Sequence, residues 1–489
     1  MSLIRISNLT FRYDNSYDNI FENISFQIDT HWKLGLIGRN GRGKTTLLKL
    51  LMGKYDYSGT IFPVVHCDYF PFDVPDNRQI TIDVVSRVCR NYKLWELNRE
   101  LSLLRVSEDV LYHPFKKLSN GEQTKVLLAA FFLKQNNFLL IDEPTNHLDL
   151  NARLIVSNYL RSCSKGFILV SHDRAFLDNC IDHIFSINKT NIEIQKGNFS
   201  SWQYNKRKKD IFEISKVRRL KKDIKRLSAS ARRTARWSKK VEDSKIGNTN
   251  GDKGYIGHKA AKMMKRSKSI ETRRQKAIKE KSKLAKNIET TERLSMKPLK
   301  NFKNGLIEIS GLSIFYDDRQ ICKNISFNVN QGDRIALNGK NGSGKTSIFK
   351  LLTAQKMVYY GEVRITGGLI ISYVPQSTSF LKGTLRKFAQ ERYLDESLFK
   401  AVLDRLGVTK IQFEKDMSDF SDGQKKKVLL AQSLCQQAHL YIWDEPLNFV
   451  DILSRIQIED LIIMHQPTML FVEHDLSFVN TVATKQITL

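Results

Sequence analysis

Two stretches of this 489-residue chain have the residue types and spacing needed to hold a polyphosphate. Gly38-Arg39-Asn40-Gly41-Arg42-Gly43-Lys44-Thr45 fits G-x-x-x-x-G-K-[ST], and Gly339-Lys340-Asn341-Gly342-Ser343-Gly344-Lys345-Thr346 fits it again. Glycines at these places let the backbone turn its N–H groups inward onto phosphate, and a helix starting at the lysine adds partial positive charge. Lys44 and Lys345 are placed to reach the β- and γ-phosphates of ATP, and Thr45 and Thr346 to ligate Mg2+. Thr46 and Ser347 follow directly.

Other polar groups recur in the same order. Asp142-Glu143-Pro144 returns as Asp444-Glu445-Pro446, and Ser171-His172-Asp173 as Glu473-His474-Asp475. Asp142 and Asp444, each ending an apolar run, suit a Mg2+ shell. Glu143 and Glu445 are then positioned to act as general bases on an attacking water. His172 and His474 follow a second apolar run and point to the γ-phosphate. A lone histidine after a strand is more often structural, but here two stand at matched offsets.

The elements that must position these groups are legible from pattern. Leu34–Ile37 and Arg334–Leu337 precede the glycine loops as short strands, and Leu47–Leu51 and Ile348–Leu352 follow as helices. Phe138–Asp142, Leu440–Asp444, Phe167–Val170 and Met469–Val472 are near-continuous apolar runs, as in parallel strands buried on both faces. The whole kit repeats at an offset of about 302 residues. The fold class is therefore α/β: two P-loop ATPase domains, joined by a long antiparallel α-helical hairpin.

Leu118-Ser119-Asn120-Gly121-Glu122-Gln123 and Phe420-Ser421-Asp422-Gly423-Gln424-Lys425 lie between the glycine loop and the Asp-Glu strand of each copy. With these segments the chain resembles the ABC ATPase superfamily. The resemblance implies a head-to-tail sandwich within one monomer. Ser119, Gly121 and Gln123 would serve the ATP on Lys345, and Ser421, Gly423 and Gln424 the ATP on Lys44. Tyr13 and Tyr316 would stack on adenine, and Gln376, in Tyr373-Val374-Pro375-Gln376, would contact Mg2+. The first copy instead reads Tyr69-Phe70-Pro71-Phe72, and Asn120 and Asp422 replace the usual signature glycine. Two unequal sites are expected, with weaker hydrolytic coupling at Lys44, unless water or a neighbouring polar group replaces the lost amide.

The middle of the chain differs in kind. Between Tyr204 and Lys300 there are 33 Lys or Arg against 10 Asp or Glu, most of the net +28. Val217, Leu220, Ile224, Leu227 and Ala231 form a heptad seam, and Ile270, Ala277, Leu284 and Ile288 a second. The expected domains are 1–202, a basic two-helix linker over 203–300 with its tip near 245–257, and 301–489. Such cation density suits RNA phosphate. Tyr255 and Ile256 could stack on a base or simply stabilise the turn. The six cysteines show no metal or disulfide pattern, and neither a signal sequence nor a membrane span is read, which predicts a cytoplasmic protein.

Tandem ABC units joined by a basic hairpin resemble the ABC-F family of ribosome-binding translation proteins. Trp32–Lys44, Ile256–Lys268 and Trp443–Asn448 look like its Lsa/Vga-type antibiotic-resistance branch. Neither copy has room for the inserted Arm of housekeeping members. The resemblance implies ATP and Mg2+ as cofactors. It also implies the ribosome as partner (23S rRNA, P-site tRNA and the large-subunit exit-site region), with displacement of lincosamides, pleuromutilins or streptogramin A from the peptidyl-transferase centre. A housekeeping factor adjusting tRNA position, and an ATPase subunit of a transporter, are the alternatives.

Overall fold

The computed structural model describes residues 3–489 except 15–18, 63–65, 73, 75, 135–136, 146–147, 189–190, 244–252, 288–295, 317–318, 340–341, 356, 409 and 449. Each ATPase unit is α/β, as the sequence predicts. In the first, six strands run in the order Cys67–Phe70, Phe138–Asp142, Phe167–Val170, Lys33–Gly38, His183–Ile187 and Ile192–Lys196. All pairings are parallel except the last. In the second, Ile371–Val374, Leu440–Asp444, Met469–Val472, Arg334–Asn338 and Lys485–Thr488 form a wholly parallel sheet. A three-stranded antiparallel sheet accompanies each: Phe21–Asp29, Leu3–Phe11, Ser58–Phe62, and Arg319–Asn330, Gly305–Tyr316, Val358–Ile365.

The glycine-loop strand lies inside each sheet, so the loop emerges at the carboxyl edge beside the histidine strand, with the Asp-Glu strand next in order. Helices Lys44–Leu51 and Lys345–Leu352 begin directly after left-handed glycines, Gly43 at φ 87° and Gly344 at φ 94°. A Cβ on Gly43 would fall 2.6 Å from Ile20 Cγ2 and 2.8 Å from Phe21 Cζ, so both conformation and space demand glycine. Ser119 and Ser421 each cap a 14-residue helix, Asn120–Leu133 and Asp422–Cys435, in reciprocal capping boxes with Glu122 and Gln424. The signature motif is thus also a helix start, which fixes where its serine points.

The two ATPase units meet through buried ions. Arg174 of the first donates through both terminal nitrogens to Glu459 of the second, and also to Asp475 Oδ2 at 3.3 Å. Arg153 Nη1 donates to Asp173 Oδ2 at 2.9 Å within its own unit and to the His474 carbonyl across the interface at 3.2 Å. By the repeat offset, Arg174 corresponds to Leu476 and Glu459 to Ser157, so this pair exists on one side of the pseudo-twofold only.

Residues Ser201–Thr290, with Asn188–Asn191, form a separate compact unit. It consists of helices Phe199–Asp243 (45 residues) and Lys253–Asn287 (35 residues), about 65 and 50 Å long. Lys216 pairs with Glu280 at 2.8 Å, and Ser267 Oγ donates to the Ala231 carbonyl at 3.4 Å; this order makes the helices antiparallel. Val217, Leu220, Ile224, Leu227, Ile270 and Ala277 are half-buried and Ala231 buried, while most cations between them are exposed. The Leu284 side chain and Ile288 lie outside the described residues. So does most of the expected tip, residues 245–252, and the remainder, 253–257, is the first turn of the second helix. The expected linker end at 300 also shifts: Met296 is buried in the second ATPase core, and Leu299 N donates to the Ala438 carbonyl at 2.9 Å.

Removing one member of the Arg174–Glu459 pair strands a buried charge, whereas replacing both does not. Glu459→Ala should lower stability by about 3–5 kcal/mol in urea denaturation, and Arg174→Met/Glu459→Leu should recover most of that loss.

Candidate functional site

Two cavities lie between the ATPase units, each walled by both. The larger, about 1010 Å³, brings Lys345, Thr346, Ser347, Gly342 and Gly344 of one unit opposite Ser119 and Gly121 of the other, with Tyr316, Gln376, Glu445 and His474 also on its wall. The second, about 550 Å³, brings Asn40, Gly41, Gly43, Lys44, Thr45 and Thr46 opposite Ser421, Gly423 and Gln424, with Asp142, Glu143 and His172. Gly38 and Gly339 lie behind the loops, where their carbonyls each accept from the loop lysine at 2.8 Å. Asn341 lies outside the described residues.

Two expected nucleotide contacts are placed elsewhere. Gln123 Nε2 donates to the Phe115 and Leu118 carbonyls at 2.9 and 3.3 Å, so it braces the turn before its own helix and is not on the cavity wall. Tyr13 stands edge-on to Phe11 and Tyr55, with its hydroxyl 2.9 Å from Thr46 Oγ1, and likewise does not line the Lys44 cavity. Tyr316 lines its cavity, while Tyr13 touches the wall of the other through Thr46.

The catalytic candidates differ more. Glu143 and Glu445 both adopt left-handed backbone, φ 50° and 47°, pinned by N–H donation to Val170 and Val472 on the neighbouring strands. Strain of this kind in a non-glycine residue marks a side chain that the fold must aim. Glu445 accepts from Gln376 Nε2 at 3.0 Å and Asn448 Nδ2 at 2.8 Å, and its Oε1 is 3.2 Å from His474 Nε2. Burial opposes its charge, but the hydrogen bonds from His474 and Gln376 outweigh that and hold its pKa at about 2. Phe72 replaces the glutamine in the first unit, and Glu143 is 3.4 Å from His172 Nε2. Burial first, and the Asp142 charge second, push Glu143 up to about 8 despite Lys44. Burial, with Lys44 and Arg455, holds His172 well below the usual range for histidine.

The Mg2+ positions fit one divalent ion per site. Asp444 Oδ2 is buried without a hydrogen-bond partner, and burial pushes this carboxyl up to about 6 although Thr346 donates to it. A cation would satisfy that oxygen, with Thr346 and Gln376 nearby. Asp142 Oδ2 accepts from Thr45 Oγ1 at 3.1 Å and Tyr69 OH at 2.8 Å. Among the described residues no cluster of three or more His, Cys, Asp or Glu could hold a metal alone. One carboxylate, a hydroxyl and substrate phosphates are the usual Mg2+ set.

Asp451 is a site residue that the motifs did not reveal. It caps helix Ile452–His465, pairs with Lys427 at 3.3 Å, and accepts from Asn40 N of the opposite glycine loop at 3.4 Å. Burial opposes its charge, yet Lys427 and Lys44 hold it far below the usual carboxylate range. Asp149 is its counterpart and lines the larger cavity. The signal was available, because Leu148-Asp149 and Val450-Asp451 recur at the same offset as the other motifs.

Paired glycine loops facing opposite signatures across one interface define a tandem nucleotide-hydrolysing sandwich. The ABC transporter family model matches residues 21–146 and again 322–448, over half of the chain, and the chain belongs to that family. It is an ATPase, and domains of this family bind ATP, generally with Mg2+. It is 27% identical to the ribosome protection protein VmlR of Bacillus subtilis, over 99% of this chain and 86% of that protein. It is 26% identical to the ATP-binding protein Uup of Buchnera aphidicola, over 99% of this chain and 80% of that protein. These relatives are of the ABC-F type. Among solved structures, the archaeal ribosome recycling factor aABCE1, in complex with stalk protein aP1, matches with a TM-score of 0.64 at 17% identity, over 98% of this chain and 87% of that one. That likeness concerns the fold. Among the described residues no helix is long and apolar enough to cross a membrane.

With one lysine per cavity, calorimetric titration with Mg2+ and a slowly hydrolysed ATP analogue should give two bound nucleotides in the wild type. Lys44→Ala and Lys345→Ala should each give one.

Proposed function

We propose that this ATPase is a monomeric ribosome-protection protein that works in the cytoplasm. The observation that carries this reading is the basic hairpin, whose heptad residues are half-buried on its own seam while most of its described cations are exposed. Exposed Lys and Arg on paired helices bind RNA through phosphate and shape. The ribosome protection activity named for the Bacillus subtilis relative supports the same partner. In the mechanism, ATP binding closes the sandwich, and the hairpin occupies the exit-tRNA site against 23S rRNA and P-site tRNA. The resulting shift expels a lincosamide, pleuromutilin or streptogramin A from the peptidyl-transferase centre, as in the Lsa/Vga-type branch, and hydrolysis then releases the protein.

Within the sandwich, Lys44 and Lys345 hold the β- and γ-phosphates, and Thr45, Asp142, Thr346, Asp444 and Gln376 serve Mg2+. Glu143 and Glu445 act as general bases, with His172 and His474 at the γ-phosphate. The bases are unequal: Glu445 is ionised and braced by three neighbours, whereas Glu143 retains its proton near neutral pH. Hydrolysis at Lys44 is accordingly the slower.

The Glu143→Gln/Glu445→Gln variant with ATP should cosediment with 70S ribosomes and be released steeply as salt rises; no cosedimentation would remove the ribosomal reading. Expression of the wild type in a sensitive host should raise the inhibitory concentration of these drugs, and unchanged susceptibility would favour a housekeeping role on tRNA. The inequality of the bases has its own test in single-turnover hydrolysis between pH 6.5 and 9. Glu445→Gln, which leaves only Glu143, should speed up as pH rises through about 8. Glu143→Gln should stay flat, since a base with a pKa of about 2 is ionised throughout.

A further inference from the structure

The two units build the same turn after an outer helix but furnish it differently. After helix Leu94–Leu103, the N–H groups of Leu104, Arg105 and Val106 donate to the carbonyls of Glu100, Ser102 and Leu101. After helix Glu396–Arg405, Leu406, Gly407 and Val408 do the same to Val402, Asp404 and Leu403. The middle residue is left-handed in both, φ 53° at Arg105 and 81° at Gly407. Glycine takes that conformation freely, and a residue with a Cβ does not. The first unit therefore keeps an arginine where the backbone least favours one, which is a reason to ask what the side chain does.

That side chain lines the larger cavity, on the signature wall with Ser119 and Gly121 and opposite Lys345. The corresponding wall of the Lys44 cavity offers Gly407 and Asp404, where the first unit has Arg105 and Ser102. Burial chiefly disfavours the charge on Lys125, which lies on the same wall; Asp149 and Glu122 oppose that effect, and Arg105 adds to it. Two cations are thus gathered where an anion between the units would relieve both.

We propose that Arg105 is a nucleotide-binding residue supplied in trans, whose guanidinium contacts the nucleotide held by the Lys345 loop. One site is then closed by an arginine of the opposite unit and the other is not. The inference rests on nucleotide binding in that cavity, so the test first isolates it.

The full chain carrying Lys44→Ala is titrated with MANT-ATP and MANT-ADP in the presence of Mg2+. Arg105→Gly should keep or raise the melting temperature, because it installs the residue that the second unit uses. It should weaken MANT-ATP binding roughly tenfold or more, the scale of one charge-assisted hydrogen bond, and Arg105→Lys should restore part of the affinity. A loss confined to MANT-ATP places the contact at the γ-phosphate; a loss shared with MANT-ADP places it nearer the ribose and base. Unchanged binding in Arg105→Gly overturns the inference. Absence of binding already in the Lys44→Ala parent would instead overturn the nucleotide assignment of the cavity.

Discussion

Bringing two ATPase units together removes a series of charges from water, and the interface holds because almost every one of them is answered. Lys44 is depressed chiefly by burial, which the Asp451 carboxylate of the opposite unit opposes. Asp451 is shared between Lys427 and the Lys44 loop, and Asp475 between Arg174 and Arg455. Isolated charges of this kind would cost several kcal/mol each, and a network in which ions share partners is how such burial becomes tolerable. The same network couples the sites to the interface: the Asp451 carboxylate that pairs with Lys427 is also hydrogen-bonded to the opposite glycine loop. Nucleotide charge arriving at Lys44 therefore changes the electrostatics of the contact that holds the units together.

The pseudo-twofold sets the layout, and its breaches lie where chemistry is decided. Gln376 and Asn448 donate to Glu445, and one of those donors is lost to Phe72 opposite Glu143. Arg174–Glu459 has Leu476 and Ser157 as its symmetry mates, and Arg105 has Gly407. These breaches are changes of side chain within one architecture, so the same fold carries two sites of different chemistry. The left-handed glutamates are the counterexample: both copies keep that strain, which marks it as a requirement common to the two sites.

What the sequence makes legible follows from how local each requirement is. The glycine loops, their strands and helices, the Asp-Glu pairs and the signature serines are contiguous in the chain, because a phosphate cradle needs consecutive N–H groups and a capping box needs i and i+3. Pattern alone therefore gave the α/β class, the two sites and the antiparallel hairpin. Contacts between residues hundreds of positions apart have no such signature. Asn40 with Asp451, Arg174 with Glu459, and Arg105 on the cavity of Lys345 emerge only once the two units are docked. Gln123 shows the converse limit: residue type and offset matched a nucleotide role, but the Phe115 and Leu118 carbonyls supply its partners.

The hairpin answers its charge in the opposite way from the interface. Its helices join through a thin seam with ion pairs such as Lys216–Glu280, and most of its described cations face water, where each is solvated cheaply but repels its neighbours. Such a segment gives up stability of its own for long-range attraction to polyanions, an attraction that salt screens over about 10 Å. The ATPase body holds its charges in fixed, dry pairs that a nucleotide can rebalance, whereas most of the hairpin's described cations face water. Paired charges held away from water suit a switch that a bound anion resets, and dense solvated charges suit long-range attraction to a polyanion.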